Sequence, residues 1–194
     1  DYILEMIMVE ITYQLKGQDL KKLGNVERTP EGKLRIILDA STITEIIEKN
    51  ENLRIFKLDG NSNYKSSQFA FIWVPDVGEK PFSVASDRPL TFVVRRREYD
   101  PDEKKGLVTN ALFQLNEGED MFIRGVYGAQ APMTDKQEAY IVAGGTGIAV
   151  VPKLAEELNR AGKKVKVYYG ISSPEEAILS DEISKYAEYI PITD

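Results

Sequence analysis

The stretch with the greatest capacity for chemistry is "AYIVAGGTGIAVVPKLAEEL" (139–158), where Gly144, Gly145, Thr146, Gly147 and Ile148 stand between an apolar run and an amphipathic one. Glycine tolerates positive φ and lets a ligand approach the main chain, and a following helix presents free N–H groups and partial positive charge to an anion. The turn is built like a pyrophosphate seat. It departs, however, from G-x-G-x-x-G spacing, and a tight turn with close helix packing uses the same residues. Two upstream stretches carry further polar groups. "EKPFSVAS" (79–86) sets Lys80 and Ser83 around Pro81 and Phe82, and "GLVTNALFQL" (106–115) puts Gly106, Val108 and Thr109 at the start of a short helix. A hydroxyl there can cap the helix and also donate to a phosphate oxygen. Taken alone, "KPFSV" is an ordinary strand start with proline at its first position, and capping is the commoner use of such a threonine.

What is absent narrows the chemistry further. The 194 residues include no histidine and no cysteine. The commonest general base, the commonest zinc ligand and any protein thiolate are therefore missing, which excludes classical triads, zinc sites and cysteine-held iron–sulfur clusters within this sequence. Chemistry at the glycine turn has to come from a bound cofactor. With 25 basic and 31 acidic side chains, the net charge of −6 offers no broad basic face, so nucleic acid is not an expected partner. No apolar run approaches the roughly 20 residues of a membrane span, and "DYILEMIMVEITYQL" lacks the basic region and cleavage site of a signal peptide. A soluble, cytoplasmic protein is expected. Starting at Asp1, the sequence reads as processed or incomplete, unless Met6 or Met8 is a genuine start. Abundant Lys and Glu without cysteine lean towards a heat-loving source.

The elements that must position these residues fall into three segments. Residues 1–41 read as a small β-rich extension, with "MIMVEITYQL" and "KLRIILDA" as strands around the turn "GNVERTPEG". Residues 42–135 hold short runs rich in β-branched and aromatic residues, "TEIIEKN", "LRIFKLDG", "QFAFIWVP", "FSVAS", "LTFVVRRRE" and "DMFIRGVYG". Their spacing and intervening turn signals predict a closed antiparallel barrel. Residues 136–194 alternate: strand "AYIVAGG", helix "VVPKLAEELNRAG", strand "KVKVYYG" and helix "SPEEAILSDEISKYA", which predicts a parallel sheet in an α/β domain.

"EKPFSVAS", "GLVTNALFQLNEGEDMFIRGVYG" and "AYIVAGGTGIAVVPKL" occur in the order and near the spacing of the ferredoxin–NADP reductase-like superfamily. Over roughly residues 42–194 the chain resembles the electron-transfer subunit of NAD-dependent dihydroorotate dehydrogenase. The resemblance implies an FAD-binding barrel followed by an NAD-binding domain. It puts Lys80, Pro81, Phe82 and Ser83 on the family's Arg-Pro-x-Ser segment, with Ser83 near the reactive edge of the flavin and position 80 near the FAD phosphates. Lysine replaces the usual arginine and cannot give the planar two-pronged contact, so FAD is held differently or a neighbour such as Arg95 or Arg96 helps. Gly106, Val108 and Thr109 fall on the segment that meets the FAD pyrophosphate, and Val126 stands where proline is usual. Gly144, Gly145, Thr146, Gly147 and Ile148 fall on the nicotinamide-dinucleotide turn, and Gly170 on the glycine that meets the adenosine end. Ile171, Ser172 and Ser173 offer no cation to a 2′-phosphate, favouring NAD(H) over NADP.

The implied activity is hydride transfer from NADH to bound FAD and onward passage of electrons to a catalytic dehydrogenase or other acceptor subunit, in a hetero-oligomer. Such chemistry belongs to the cofactors, which must meet in a near-attack geometry of roughly 3–3.5 Å, and it needs no protein acid or base. Ser83 would assist at the flavin edge, with Tyr127 a second candidate contact or equally a barrel-end packing residue. Family members continue into a cysteine-rich tail that binds a two-iron two-sulfur cluster. This sequence stops at "PITD", so a cluster is expected only if a C-terminal part lies outside it. The alternative is a non-catalytic, FAD-binding or structural subunit docked on a partner oxidoreductase.

Overall fold

The computed structural model describes residues 26–28, 30, 34–36, 38–60, 62–100 and 105–193. Strands β1 (Val26–Arg28) and β2 (Leu34–Ile36) form a two-stranded antiparallel ribbon. The expected turn "GNVERTPEG" thus contains a strand, and the expected strand "KLRIILDA" is shared between β2 and the start of the next one. The other expected strand, "MIMVEITYQL", lies outside the described residues.

Six strands then close on themselves: β3 (Asp39–Asn50), β4 (Leu53–Leu58), β5 (Phe69–Val74), β6 (Gly78–Asp87), β7 (Leu90–Arg95) and β8 (Asp120–Tyr127), in the order β3-β4-β7-β6-β5-β8 with every pairing antiparallel. Closure leaves no free edge, which suits a chain of short strands joined by polar turns. Alternation along β4 sends Phe56 and Leu58 into the barrel and Leu53 and Ile55 outwards. On β7, Phe92 and Val94 point in while Val93 points out. The outward residues are nonetheless buried, because a second layer covers them. That is why "LTFVV" is an unbroken apolar run rather than an alternating one. The helix α1 (Leu107–Leu112) joins the barrel core through Val108 and Leu112.

The covering layer is the turn and helix face of the expected α/β unit, whose parallel sheet, in the order β11-β10-β9, is built from β9 (Glu138–Gly144), β10 (Lys164–Gly170) and β11 (Glu188–Ile192). A 3-10 turn (Gly145–Val150) separates β9 from α2 (Val151–Arg160), which buries Val151, Ala155 and Leu158 at helical spacing and carries Pro152 in its first turn. The long helix expected over 173–187 is absent. A 3-10 turn (Pro174–Glu176) gives way to extended backbone at Ala177 and left-handed backbone at Leu179 (φ 58°), and only α3 (Ser180–Ser184) is helical. Ile178 and Leu179 are both buried in the second core, so tertiary burial overrides local helix preference.

Ala85 and Val93 from the barrel wall share that second core with Ile148, Ala149 and Val151 just after the glycine turn. The turn is therefore seated directly on the outer face of β6 and β7. Among the described residues no helix is long and apolar enough to cross a membrane.

Candidate functional site: a cleft between the barrel and the glycine turn

A cleft of about 470 Å³ opens where the two layers meet. It is lined by Lys80, Pro81, Phe82 and Ser83 of β6, Val93 and Arg95 of β7, Arg97, Thr109 of α1, and Thr146 and Ala149 beyond β9. Three stretches far apart in sequence thus face one space, at the carboxyl end of the parallel strands where ligands of α/β sheets bind. Ser83 pairs with Phe69 and Pro81 with Phe71 across β5 and β6, which fixes the register of the wall.

Within that wall Thr109 does not behave as a cap. The N-cap is Gly106, in left-handed backbone at φ 80°, and no side chain caps α1. The Thr109 hydroxyl, 5% exposed, donates to the Gly106 carbonyl at 3.1 Å and accepts the Arg97 N–H at 3.3 Å. It holds the Arg97 backbone against the helix instead. Glycine is required at 106: a Cβ there would lie 2.7 Å from the Glu98 carbonyl and 2.9 Å from that of Arg97. Val108 is buried in the barrel core, so only its backbone is available to a ligand.

On the other side, Gly144 ends β9 in extended backbone and Gly145 turns at φ 50°. No atom lies within 4 Å of where a Cβ would stand on Gly144, Gly145 or Gly147, so the space before the turn is open. The turn is held from behind. Ile148 is fully buried beneath it, and the Tyr169 hydroxyl donates to the Gly145 carbonyl at 3.0 Å and to the Glu176 carbonyl at 3.3 Å. Burial, with Tyr189 and Glu176 nearby, pushes the Tyr169 hydroxyl up to about 12, so it remains a donor at neutral pH. Gly170 ends β10 directly beside Gly144 in the parallel register. Of the glycine-turn residues Thr146 lines the cleft, whereas Gly144, Gly145 and Gly147 face the open space at the strand ends, and a Cβ on Gly170 would lie 3.8 Å from the Ala143 carbonyl.

The cations divide by strand face. Arg95 lines the cleft and meets Glu176 at 3.4 Å. Arg96 points away, with its Nε donating to Asn52 at 3.2 Å and its guanidinium 5.3 Å from the centre of the Phe113 ring. Of the two neighbours the sequence offered to help Lys80, Arg95 is in place and Arg96 is not. Arg97 also lines the cleft, which the sequence reading missed. Its signal was alternation: residues two apart share a face.

Tyr127 belongs to the barrel wall. Register slips between Phe69 and Phe71 opposite β8, where Gly125 adopts φ 75° with the Tyr127 ring 2.1 Å from where a Cβ would stand. This bulge brings Tyr127 beside Phe69 and Phe71, and its hydroxyl accepts from Arg124 at 3.0 Å. Val126 packs against the barrel core.

No protein-family model matches the chain. Among solved structures, one described as an NADH-dependent reduced ferredoxin–NADP oxidoreductase superposes with a TM-score of 0.66 at 20% identity, covering 78% of this chain and 55% of that one. The chain has the ferredoxin–NADP reductase-like fold. Sequence relatives agree with the fold. The chain is 33% identical over 153 residues to a probable dihydroorotate dehydrogenase B (NAD(+)) electron transfer subunit of Methanocaldococcus jannaschii, covering 78% of this chain and 55% of that protein. It is 30% identical over 155 residues to the sulfhydrogenase 2 subunit gamma of Pyrococcus furiosus, covering 73% and 51%. The chain spans about half the length of these curated relatives. In this ferredoxin reductase-like fold the barrel strand carrying Ser83 and the turn carrying Thr146 come to one cleft.

Proposed function

We propose that the chain is an electron-transfer flavoprotein: FAD binds in the cleft, NADH binds at the glycine turn, and electrons pass on to a partner subunit. The observation that carries this reading is the single cleft shared by Lys80–Ser83, Thr109 and Thr146. The residues present fit a dinucleotide. Lys80 and Arg97 line the cleft with no acid partner among the described residues, and the open backbone of Gly144, Gly145 and Gly147 has room for a ligand to lie against it. The names of the sequence relatives, one an electron transfer subunit and the other a sulfhydrogenase gamma subunit, support the same class and a hetero-oligomeric setting. On this reading residues 42–135 are the FAD-binding unit and residues 136–194 the nucleotide-binding unit of a cytoplasmic enzyme.

Bound FAD and NADH supply hydride and single-electron chemistry, which no side chain of this sequence can supply alone. The chain's own work is placement. Lys80 and Arg97 neutralise phosphate charge, and Ser83 offers a hydroxyl from the cleft wall. Gly144, Gly145, Thr146 and Gly147 present backbone and hydroxyl groups to the second nucleotide, with Gly170 leaving space beside them. Ile148 and the Tyr169 hydroxyl keep that turn fixed, and Val93 and Ala149 form the apolar floor. Ile171, Ser172 and Ser173 bring no cation to the loop after β10, which favours NADH over NADPH.

The test is a visible spectrum of the purified protein before and after anaerobic addition of NADH. A flavin band that bleaches supports the reading. A flavin band that NADH leaves unchanged supports the non-catalytic, FAD-holding subunit, and a colourless protein that takes up no FAD defeats both. Absorbance to the red of the flavin bands would report an iron–sulfur cluster whose ligands lie outside this sequence.

A further inference from the structure

We propose that Arg97 is the principal diphosphate-binding residue of the cleft, giving the two-pronged contact that Lys80 cannot. The assignment rests on the FAD reading above and adds to it a specific residue.

Three cations line the cleft, and their surroundings differ. Arg95 is already engaged by Glu176 at 3.4 Å. Lys80 and Arg97 meet no acid among the described residues. Charge without an internal partner, in a recess that also holds the hydroxyls of Ser83, Thr109 and Thr146, suits an anionic ligand. Of the two, only arginine presents a planar fork matched to phosphate oxygens, whereas lysine is a point charge on a flexible stem.

The backbone of Arg97 is fixed in advance. Its N–H donates to the Thr109 hydroxyl at 3.3 Å, its carbonyl accepts from the Asn110 amide at 2.8 Å, and the preceding Arg96 N–H donates to the Asn52 carbonyl at 2.8 Å. The Asn110 amide also donates to the Gly106 carbonyl at 2.8 Å, and Gly106 approaches too closely for any Cβ. The two contacts that Arg97 itself makes here use its main chain, and its guanidinium has no hydrogen-bond or acid partner among the described residues. A pre-positioned donor loses less freedom on binding and contributes more affinity.

Position completes the argument. A second cavity of about 480 Å³, lined by Asn52, Arg96, Glu98, Tyr99 and Asn110, shares Arg95 and Arg97 with the cleft. Arg97 thus stands where the two cavities adjoin. In a dinucleotide the diphosphate is the middle of the molecule, with one ring system on either side. A fork at the junction meets that middle.

The experiment is a fluorescence titration of the apoprotein with FAD and, in parallel, with riboflavin, which carries no phosphate. Wild type, Arg97→Gln, Lys80→Arg and the double variant are compared, with circular dichroism confirming the fold of each. Arg97→Gln should weaken FAD by about 10–100-fold, the loss expected for a charge-assisted contact, and leave riboflavin within about twofold. Lys80→Arg in the Arg97→Gln background should restore part of the affinity, by supplying a fork from β6. Unchanged FAD affinity in Arg97→Gln, or equal weakening of FAD and riboflavin, would overturn the assignment while leaving the flavoprotein reading intact. Wild type that binds no FAD would remove that reading and the assignment with it.

Discussion

The hydroxyl of Tyr169, on the middle strand of the parallel sheet, donates to the carbonyl of Gly145 at 3.0 Å and so ties the glycine turn to the sheet from behind. The same hydroxyl reaches the Glu176 carbonyl at 3.3 Å, and Glu176 in turn faces Arg95 on the barrel. A short chain of contacts therefore runs from the glycine turn to the wall of the cleft.

Replacing Tyr169 by phenylalanine keeps the ring and removes that donor. Two part-buried carbonyls lose the donor they share, and stability should fall by about 1 kcal/mol, the usual net worth of such a bond. Urea denaturation reads this directly. NADH affinity should fall as well, because the turn is no longer held before the ligand arrives.

Gly147→Ala separates binding from folding. Its backbone is not left-handed and its Cβ would meet no atom within 4 Å, so the variant should fold with stability equal to wild type or higher by about 0.5–1 kcal/mol. If a nucleotide lies against the turn, the added methyl should still weaken NADH binding. Paired thermal melts and NADH titration decide it, and unaltered NADH affinity would show that the ligand does not approach Gly147.

Ser83→Ala removes a hydroxyl from the cleft wall without disturbing the strand pairing with Phe69. FAD should remain bound. The rate of NADH-driven bleaching should drop on the order of 10–100-fold, the kinetic equivalent of one hydrogen bond to a charged or developing charged group. Stopped-flow absorbance is the measurement.

Acid should open the seam between barrel and α2. Burial opposes the charge on Glu157, yet hydrogen bonds from the Ser66 hydroxyl (2.6 Å), Gln130 (2.9 Å) and the Ser66 N–H (3.1 Å), with Lys153 nearby, hold its carboxyl below the ordinary value. A carboxyl depressed in the folded state stabilises fully above its unfolded pKa of about 4.3, and that stability is lost as pH falls through the folded value. Wild type should therefore lose stability below about pH 4.5, and Glu157→Gln should show a shallower acid dependence. Denaturation midpoints across pH 3–7 test this, and parallel slopes for the two proteins would remove Glu157 from the account.

Much of the architecture was legible because burial leaves a period in the sequence. Alternation in "LRIFKL" and "FAFIWV" marks walls with two different faces, and turn clusters between such runs mark a barrel. "KVKVYYG" was readable to the residue as β10. The helix expected over 173–187 failed where burial of Ile178 and Leu179 imposes extended and left-handed backbone that no local propensity reveals. Thr109 was legible as a polar group beside a helix start, but not as the residue that holds Arg97, since the partner lies 12 positions away.

By itself, then, the sequence narrowed the chemistry. A chain without histidine or cysteine has no side chain of its own for redox work, so the proposed electron transfer relies on a bound cofactor at a glycine-rich strand-to-helix turn that the sequence displays. Only the tertiary structure decided which cations share a space. Whether Arg95, Arg96 or Arg97 faces the cleft depends on how β7 leaves the barrel and on where α1 grips it, and those directions are set by long-range packing. The same packing of Ala85 and Val93 against Ile148 and Ala149 sets the glycine turn on the barrel wall, a contact that no local pattern encodes.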